Sequence, residues 1–258
     1  LFGIVRGPAP TEAPGWRLSL PAPRHRALSD FRVALWPDDP MARVSVAVSD
    51  RVQAVGERLA RLGARVSDRA RPDLVPVDSR EIYTTLLAGA MSADLPDAVF
   101  DQMQAGVREL DPSDREIQTN PALAGMLKTV QPHRDWLRAH RRRATLRGAW
   151  RAFFDEWDIL ICPQMPTTAF PHDHSPWTGR TITVDGAERD YGEMVFWAGL
   201  ITVAYLPSTV FPTGVADDGL PIGLQAASGA FQDATCLEFD RLMAEELGGF
   251  VPPPGLSA

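Results

Sequence analysis

With 258 residues, 45% of them hydrophobic and 23% charged, the chain has enough apolar surface for a substantial core, and one large domain is expected. A formal charge of -7 repels a phosphate backbone and argues against a nucleic-acid partner, and two cysteines are too few for a disulfide framework. The longest apolar run, Met194 to Leu206, is too short to cross roughly 30 Å of hydrocarbon, so no membrane partner is expected.

The chain opens on an apolar phrase, Leu1 to Val5, with no initiating methionine, which reads as a start inside a longer sequence. Residues 1–30 are proline-rich (Pro8, Pro10, Pro14, Pro21, Pro23) and lack periodicity, which predicts an extended surface segment ordered only by docking. Phe31 to Trp36 reads as a strand. After it, Asp39 can cap a helix with Pro40 at its first position. Val44, Val48, Val52, Val55, Leu59 and Leu62 fall on one face of that helix, and Gly63 can stop it. Ala64 to Val66 then begins a second strand, which completes a parallel crossover unit.

From 78 to 157 the pattern is helical, with segments opening near Ser79, Asp94 and Asn120-Pro121 and a long one from Pro132 to Trp157. The long segment sets Trp136, His140, Trp150, Phe153, Phe154 and Trp157 against a core and Arg141, Arg142 and Arg143 on a solvated or ion-paired face. Asp158 to Cys162 is a short apolar run stopped by Pro163, as expected of a strand buried on both faces. The loop Pro163 to Pro171 leaves its carboxyl end, where ligands gather in open α/β sheets.

Asp185-Gly186 joins Arg180–Val184 to Ala187–Asp190 as a two-residue hairpin. A buried helix over Tyr191 to Leu206 follows, then strands Ser208–Phe211 and Ile222–Ala226, then a closing helix from Asp233, its expected cap, to Leu247. Cys162 and Cys236 sit in apolar stretches and read as buried thiols in a reducing compartment, the cytoplasm.

No Gly-x-Ser-x-Gly elbow and no glycine- and serine-rich anion nest occurs. His172-Asp173-His174 stands in a proline-flanked loop without further His or Cys, which predicts a surface loop and no metal. The acid pairs sit at turns and helix ends, and Gly248-Gly249 ends a helix instead of cradling a phosphate, so no cofactor is expected. Lys128 is the only lysine and reads as an exposed helix residue.

The phrase Ala198 to Gly214, followed by Gly219-Leu220-Pro221-Ile222-Gly223-Leu224-Gln225, resembles the closing segment of the amidase signature family. So do Asp158 to Pro163 with the trailing Met165-Pro166, the Trp36-Asp38-Asp39 strand end, the Trp150-Phe153-Phe154 approach to the buried strand, and the Asp185-Gly186 hairpin. The resemblance spans most of residues 16–247. It implies an α/β fold, an α/β/α layered domain around one large mixed sheet, of which residues 1–258 form the carboxyl-terminal part, here incomplete.

It also implies hydrolysis of a small-molecule carboxylic amide to a carboxylate and ammonia or an amine through an acyl-serine intermediate. The family's two serines and lysine lie in its amino-terminal half, so no catalytic residue is carried over and the isolated chain is expected to be inactive. By the same resemblance Gln164, Met165, Phe170, Phe196 and Trp197 lie near the acyl side of the substrate site. The stretch Met194-Val195-Phe196-Trp197 departs from the polar, acid-bearing lead of the aminoacyl-tRNA amidotransferase branch and favours a small-molecule amidase. A sheet cut midway would leave an unpaired edge and favour homo-oligomers. The competing reading is a non-catalytic remnant that acts as an interaction partner.

Overall fold

The computed structural model describes residues 7–177, 179–253 and 255, so the opening phrase Leu1 to Val5 lies outside it. One mixed sheet organises the chain. It is built from β1 (Arg32–Leu35), β2 (Arg65–Ser67), β3 (Ile159–Pro163), β6 (Ser208–Val215) and β7 (Pro221–Ala227) in the order β2-β1-β3-β7-β6. β1 is parallel to both β2 and β3, while β7 is antiparallel to β3 and to β6. Every residue of β3 is buried, as its unbroken apolar run predicts for a central strand covered on both faces.

The expected crossover helix, α1 (Val46–Arg61), buries Val48, Val52, Val55 and Leu59 against the sheet, and Gly63 turns the chain at φ +95°. It begins six residues after Pro40, and Asp39 is not its cap. Asp39 Oδ1 instead accepts the Met41 amide at 2.9 Å, and Asp38 Oδ1 accepts the Val44 amide at 3.1 Å, which folds 38–44 into a turn. Ser45 caps the helix through its side chain.

A helical layer follows: α2 (Pro76–Met91), α3 (Asp97–Val107), α4 (Arg115–Thr119), α5 (Pro121–Thr129) and α6 (His133–Glu156). α2 starts at Pro76, three residues before the expected Ser79, because proline suits the first helical turn. The short α4, capped by Asp114, was not foreseen. Ile82, Leu86, Ala139 and Leu146 join Val203 in a second, smaller core beside the main one. The arginine triplet divides: Arg142 pairs with Asp78, whereas Arg143 is buried, its guanidinium 4.1 Å from the Tyr205 ring centroid. The expected solvated face therefore does not include Arg143.

The hairpin β4 (Thr181–Val184) and β5 (Ala187–Asp190) forms as predicted, with Asp185 at φ 49° and Gly186 at φ 79°. Asp185 Oδ2 accepts the Val46 amide at 2.8 Å, which docks the turn on the start of α1. The expected helix over 191–206 is shorter: a 3-10 turn at Tyr191–Val195 leads into α7 (Phe196–Thr202). The closing helix is α8 (Asp233–Leu247), in which Asp233 is the first helical residue and makes no cap bond.

One carboxylate docks the proline-rich segment. Asp158, wholly buried, accepts from Arg24 Nη1 at 3.0 Å and from Arg32 N, Nε and Nη2 at 2.9, 3.0 and 2.8 Å, with His25 Nε2 at 3.2 Å. Burial pushes its pKa up, but the hydrogen bonds from Arg32 and Arg24 outweigh burial and hold it well below the usual carboxylate range. At the far side of the sheet, β6 pairs only with β7 among the described strands. The Arg51 guanidinium bonds the Thr213 and Val215 carbonyls, where the β6–β7 register is irregular.

Candidate functional site

Two hollows lie among the described residues. The larger is a cleft of about 630 Å³ between α1, the Thr167-Thr168 loop, the Asp185 turn and the β6–β7 connection. Its walls are largely tied to one another: Arg51 to the β6 carbonyls, Arg58 to Glu246, Thr168 Oγ1 to Asp218 at 3.0 Å. None of the five residues expected near the substrate lines it.

The smaller hollow lies where α2 faces α7. It is lined on one side by Ser79, Arg80, Tyr83 and Thr84, and on the other by Val195, Phe196, Gly199 and Leu200. Each set has the spacing i, i+1, i+4, i+5 that places four residues on one helical face. Gly199 makes the approach possible: a Cβ there would stand 2.6 Å from two carbons of the Tyr83 ring. The free volume is about 10 Å³, room for one oxygen-sized group.

The polar groups of this crevice are unevenly satisfied. Thr84 Oγ1 donates to the Arg80 carbonyl at 3.0 Å and accepts from Lys128 Nζ at 2.8 Å. Ser79 is 1% exposed, and its hydroxyl has no hydrogen-bond partner among the described residues. Tyr83 is half-buried, and burial raises its pKa. Among the lining residues, the buried Ser79 hydroxyl is therefore the group left without a partner.

The sequence-predicted residues separate. Phe196 is buried and lines the crevice. Trp197 is fully enclosed behind it: its Nε1 donates to the Ala42 carbonyl at 3.2 Å, and its ring meets Trp36 edge-on at 6.1 Å. Gln164, Met165 and Phe170 are half-buried on the loop after β3, and Phe170 packs 6.1 Å from the Tyr191 ring. Lys128 is less exposed than expected, held by Glu81 at 2.7 Å as well as by Thr84.

Sequence reasoning missed Ser79, Arg80 and Tyr83 as a group. Their spacing is visible, but a serine amid charged neighbours carries no mark that it will be covered. Gln225 was visible only as a motif letter. It is buried in β7, and its amide donates to the Trp197 carbonyl and to Cys162 Sγ, both at 3.3 Å, tying the sheet to α7. Both thiols are buried, and burial pushes Cys162 up to about 12. His172 and His174 lie exposed in their loop, and no group of metal-ligating side chains gathers among the described residues. Among those residues no helix is long and apolar enough to cross a membrane.

A mixed sheet flanked by helices, with a small crevice where two of those helices meet, defines an α/β domain. The chain belongs to the amidase family, whose model matches residues 10–237. A glutamyl-tRNA(Gln) amidotransferase subunit from Thermosynechococcus vestitus is 25% identical over 262 residues, covering 91% of this chain and 50% of that protein. Among solved structures, the corresponding protein from Thermotoga maritima superimposes with a TM-score of 0.63 at 18% identity, covering 98% of this chain and 52% of the other. A fatty acid amide hydrolase gives 0.59 at 18% identity, covering 90% and 42%. At these identities the structural likeness shows the fold, that of the amidase signature enzymes. The chain spans about half the length of the curated relatives it matches.

Proposed function

We propose that these residues form part of an amide hydrolase that cleaves a small-molecule carboxylic amide to a carboxylate and ammonia or an amine. The family match over residues 10–237 carries this reading. In it, the acyl-serine intermediate forms on serine and lysine residues supplied from outside the 258. The loop residues Gln164, Met165 and Phe170 wall the acyl side together with Phe196, and Trp197 supports Phe196 from behind.

The isolated chain does not turn over amides. Its single lysine is held by Glu81 and Thr84 on the helical layer, and among the described residues no serine bonds to it as a nucleophile would need. A cytoplasmic setting fits two buried free thiols, and pairing of copies along β6 fits its open edge. The test has two arms. The purified 258-residue chain should release no ammonia from simple carboxamides, and release that disappears when one of its own side chains is altered would overturn the inactivity claim. The product of the complete reading frame should release ammonia and lose that ability on a serine-to-alanine change. A start codon close to Leu1 would overturn the hydrolase reading and leave the remnant.

A further inference from the structure

We propose that the outward face of α6 is an interface for a second copy of this chain, and that it receives the acidic surface of residues 97–116, from α3 to the start of α4. The inference goes beyond the hydrolase reading and does not depend on it.

The face is built by helical spacing. Leu137, Ala144 and Gly148 lie along one exposed ridge of α6, and a Cβ added at Gly148 would meet nothing within 4 Å. Arg134 and Arg141 run along one flank of that ridge, and Arg147 and Arg151, one turn apart, along the other. All four arginines are exposed, and none has an ion-pair partner among the described residues. Their neighbours Arg138 and Arg142 are instead paired, with Asp135 and Asp78.

Residues 97–116 carry the opposite charge. They hold Asp97, Asp101, Glu109, Asp111, Asp114 and Glu116 against Arg108 and Arg115. These acids are exposed, and none forms an ion pair among the described residues. Asp97 and Asp101 stand one turn apart on α3, with the exposed Ala98 and Ala105 beside them. The small side chains on both helices let the two lie close, which brings carboxylates against the arginine rows. One molecule does not join these surfaces to each other. Two copies do, and in a two-fold dimer each copy both gives and receives the contact.

A phosphate polymer is the other anion that the arginines suit. It would lack ring faces to stack on, which such polymers use for much of their affinity. Trp136 already stacks with His133 at 6.2 Å and His140 at 5.3 Å, and the Arg143 and Arg147 guanidinium carbons lie 4.1 and 5.5 Å from the Tyr205 ring centroid. The carboxylates that complete the arginines are on the chain itself.

Sedimentation equilibrium of the 258-residue chain tests the proposal: a dimer is expected at about 0.05 M NaCl, with its dissociation constant raised about tenfold at about 0.5 M. Arg141→Glu combined with Arg147→Glu should leave a monomer, as should Asp97→Lys combined with Asp101→Lys. An equimolar mixture of the two variants should dimerise again, because the reversed charges then match. A monomer at both salt concentrations, a dimer indifferent to salt or to both reversals, or two folded variants that stay monomeric when mixed would overturn the proposal. Binding of oligothymidylate by a chain that stays monomeric would assign the arginines to a phosphate partner and overturn it as well.

Should either variant fail to fold, hydrogen exchange in the unaltered chain decides. Raising the protein concentration at low salt should slow exchange in α6 and in residues 97–116 together. Slowing confined to β6 would move the contact between copies to the sheet edge and sink this one.

Discussion

Asp158 and Ser79 are both covered polar side chains in the same domain, and they are treated in opposite ways. The carboxylate at the head of β3 is met by two arginines, a histidine and a backbone amide, drawn from segments more than 120 residues away in sequence. The hydroxyl on α2 is met by nothing from the described chain. A buried charge without partners is not tolerated, whereas a buried neutral hydroxyl costs on the order of 1–3 kcal/mol, which a domain can carry. The first arrangement holds the fold together, and the second leaves a hydroxyl unused inside it.

The largest effect expected from breaking that contrast is at Asp158. Asp158→Ala strands Arg24 and Arg32 and should cost about 3–5 kcal/mol in urea denaturation, with the proline-rich segment becoming open to proteases. A loss under about 1 kcal/mol would show that the clamp is ornamental. Next comes Gly199→Ala on the crevice side. Its Cβ would meet the Tyr83 ring at 2.6 Å, so about 1–3 kcal/mol of stability should be lost in urea denaturation. Unchanged stability would mean that Tyr83 swings aside freely.

Acid should act on the clamp by a smaller amount. The folded-state pKa of Asp158 is depressed, so its contribution is complete above the unfolded carboxylate value of about 3.9 and is lost as pH falls toward the folded value. Stability should drop by about 1 kcal/mol between pH 5 and pH 3 through this group, and Asp158→Asn should remove that component of the slope. An identical slope in the variant would assign the acid sensitivity elsewhere. The smallest effect belongs to Ser79→Ala. It removes a hydroxyl that makes no bond, so thermal and urea stability should stay within about 0.5 kcal/mol or rise. A loss above about 1 kcal/mol would mean that Ser79 is already satisfied, and the contrast would fail.

Much of the scaffold could be read in advance because it depends on neighbours in sequence. The period of Val48, Val52, Val55 and Leu59, the unbroken Ile159 to Cys162, the Asp185-Gly186 turn and the Asn120 cap all act over a few residues and appear where expected. The misplaced start of α1 shows the limit. Asp39-Pro40 is a sound local signal, yet the Asp38 and Asp39 side chains fold the chain into a turn, and Trp197, 155 residues on from Ala42, bonds within it. Arg143 shows the same limit, since it is the buried one of the three and the Tyr205 ring that its guanidinium meets lies far along the chain. Of the site, Phe196 was named through family resemblance as an acyl-side residue, which stands as a proposal, and the lack of a partner for Ser79 was not legible in the sequence.

The sequence by itself determined the alternation of strands and helices, the central buried strand, the hairpin and the amidase affiliation, because periodicity, turn residues and motif phrases are local properties. The tertiary structure alone decided which polar groups are satisfied. Whether a buried donor finds an acceptor depends on atoms brought within about 3 Å by the whole fold, and no spacing along the chain encodes that distance.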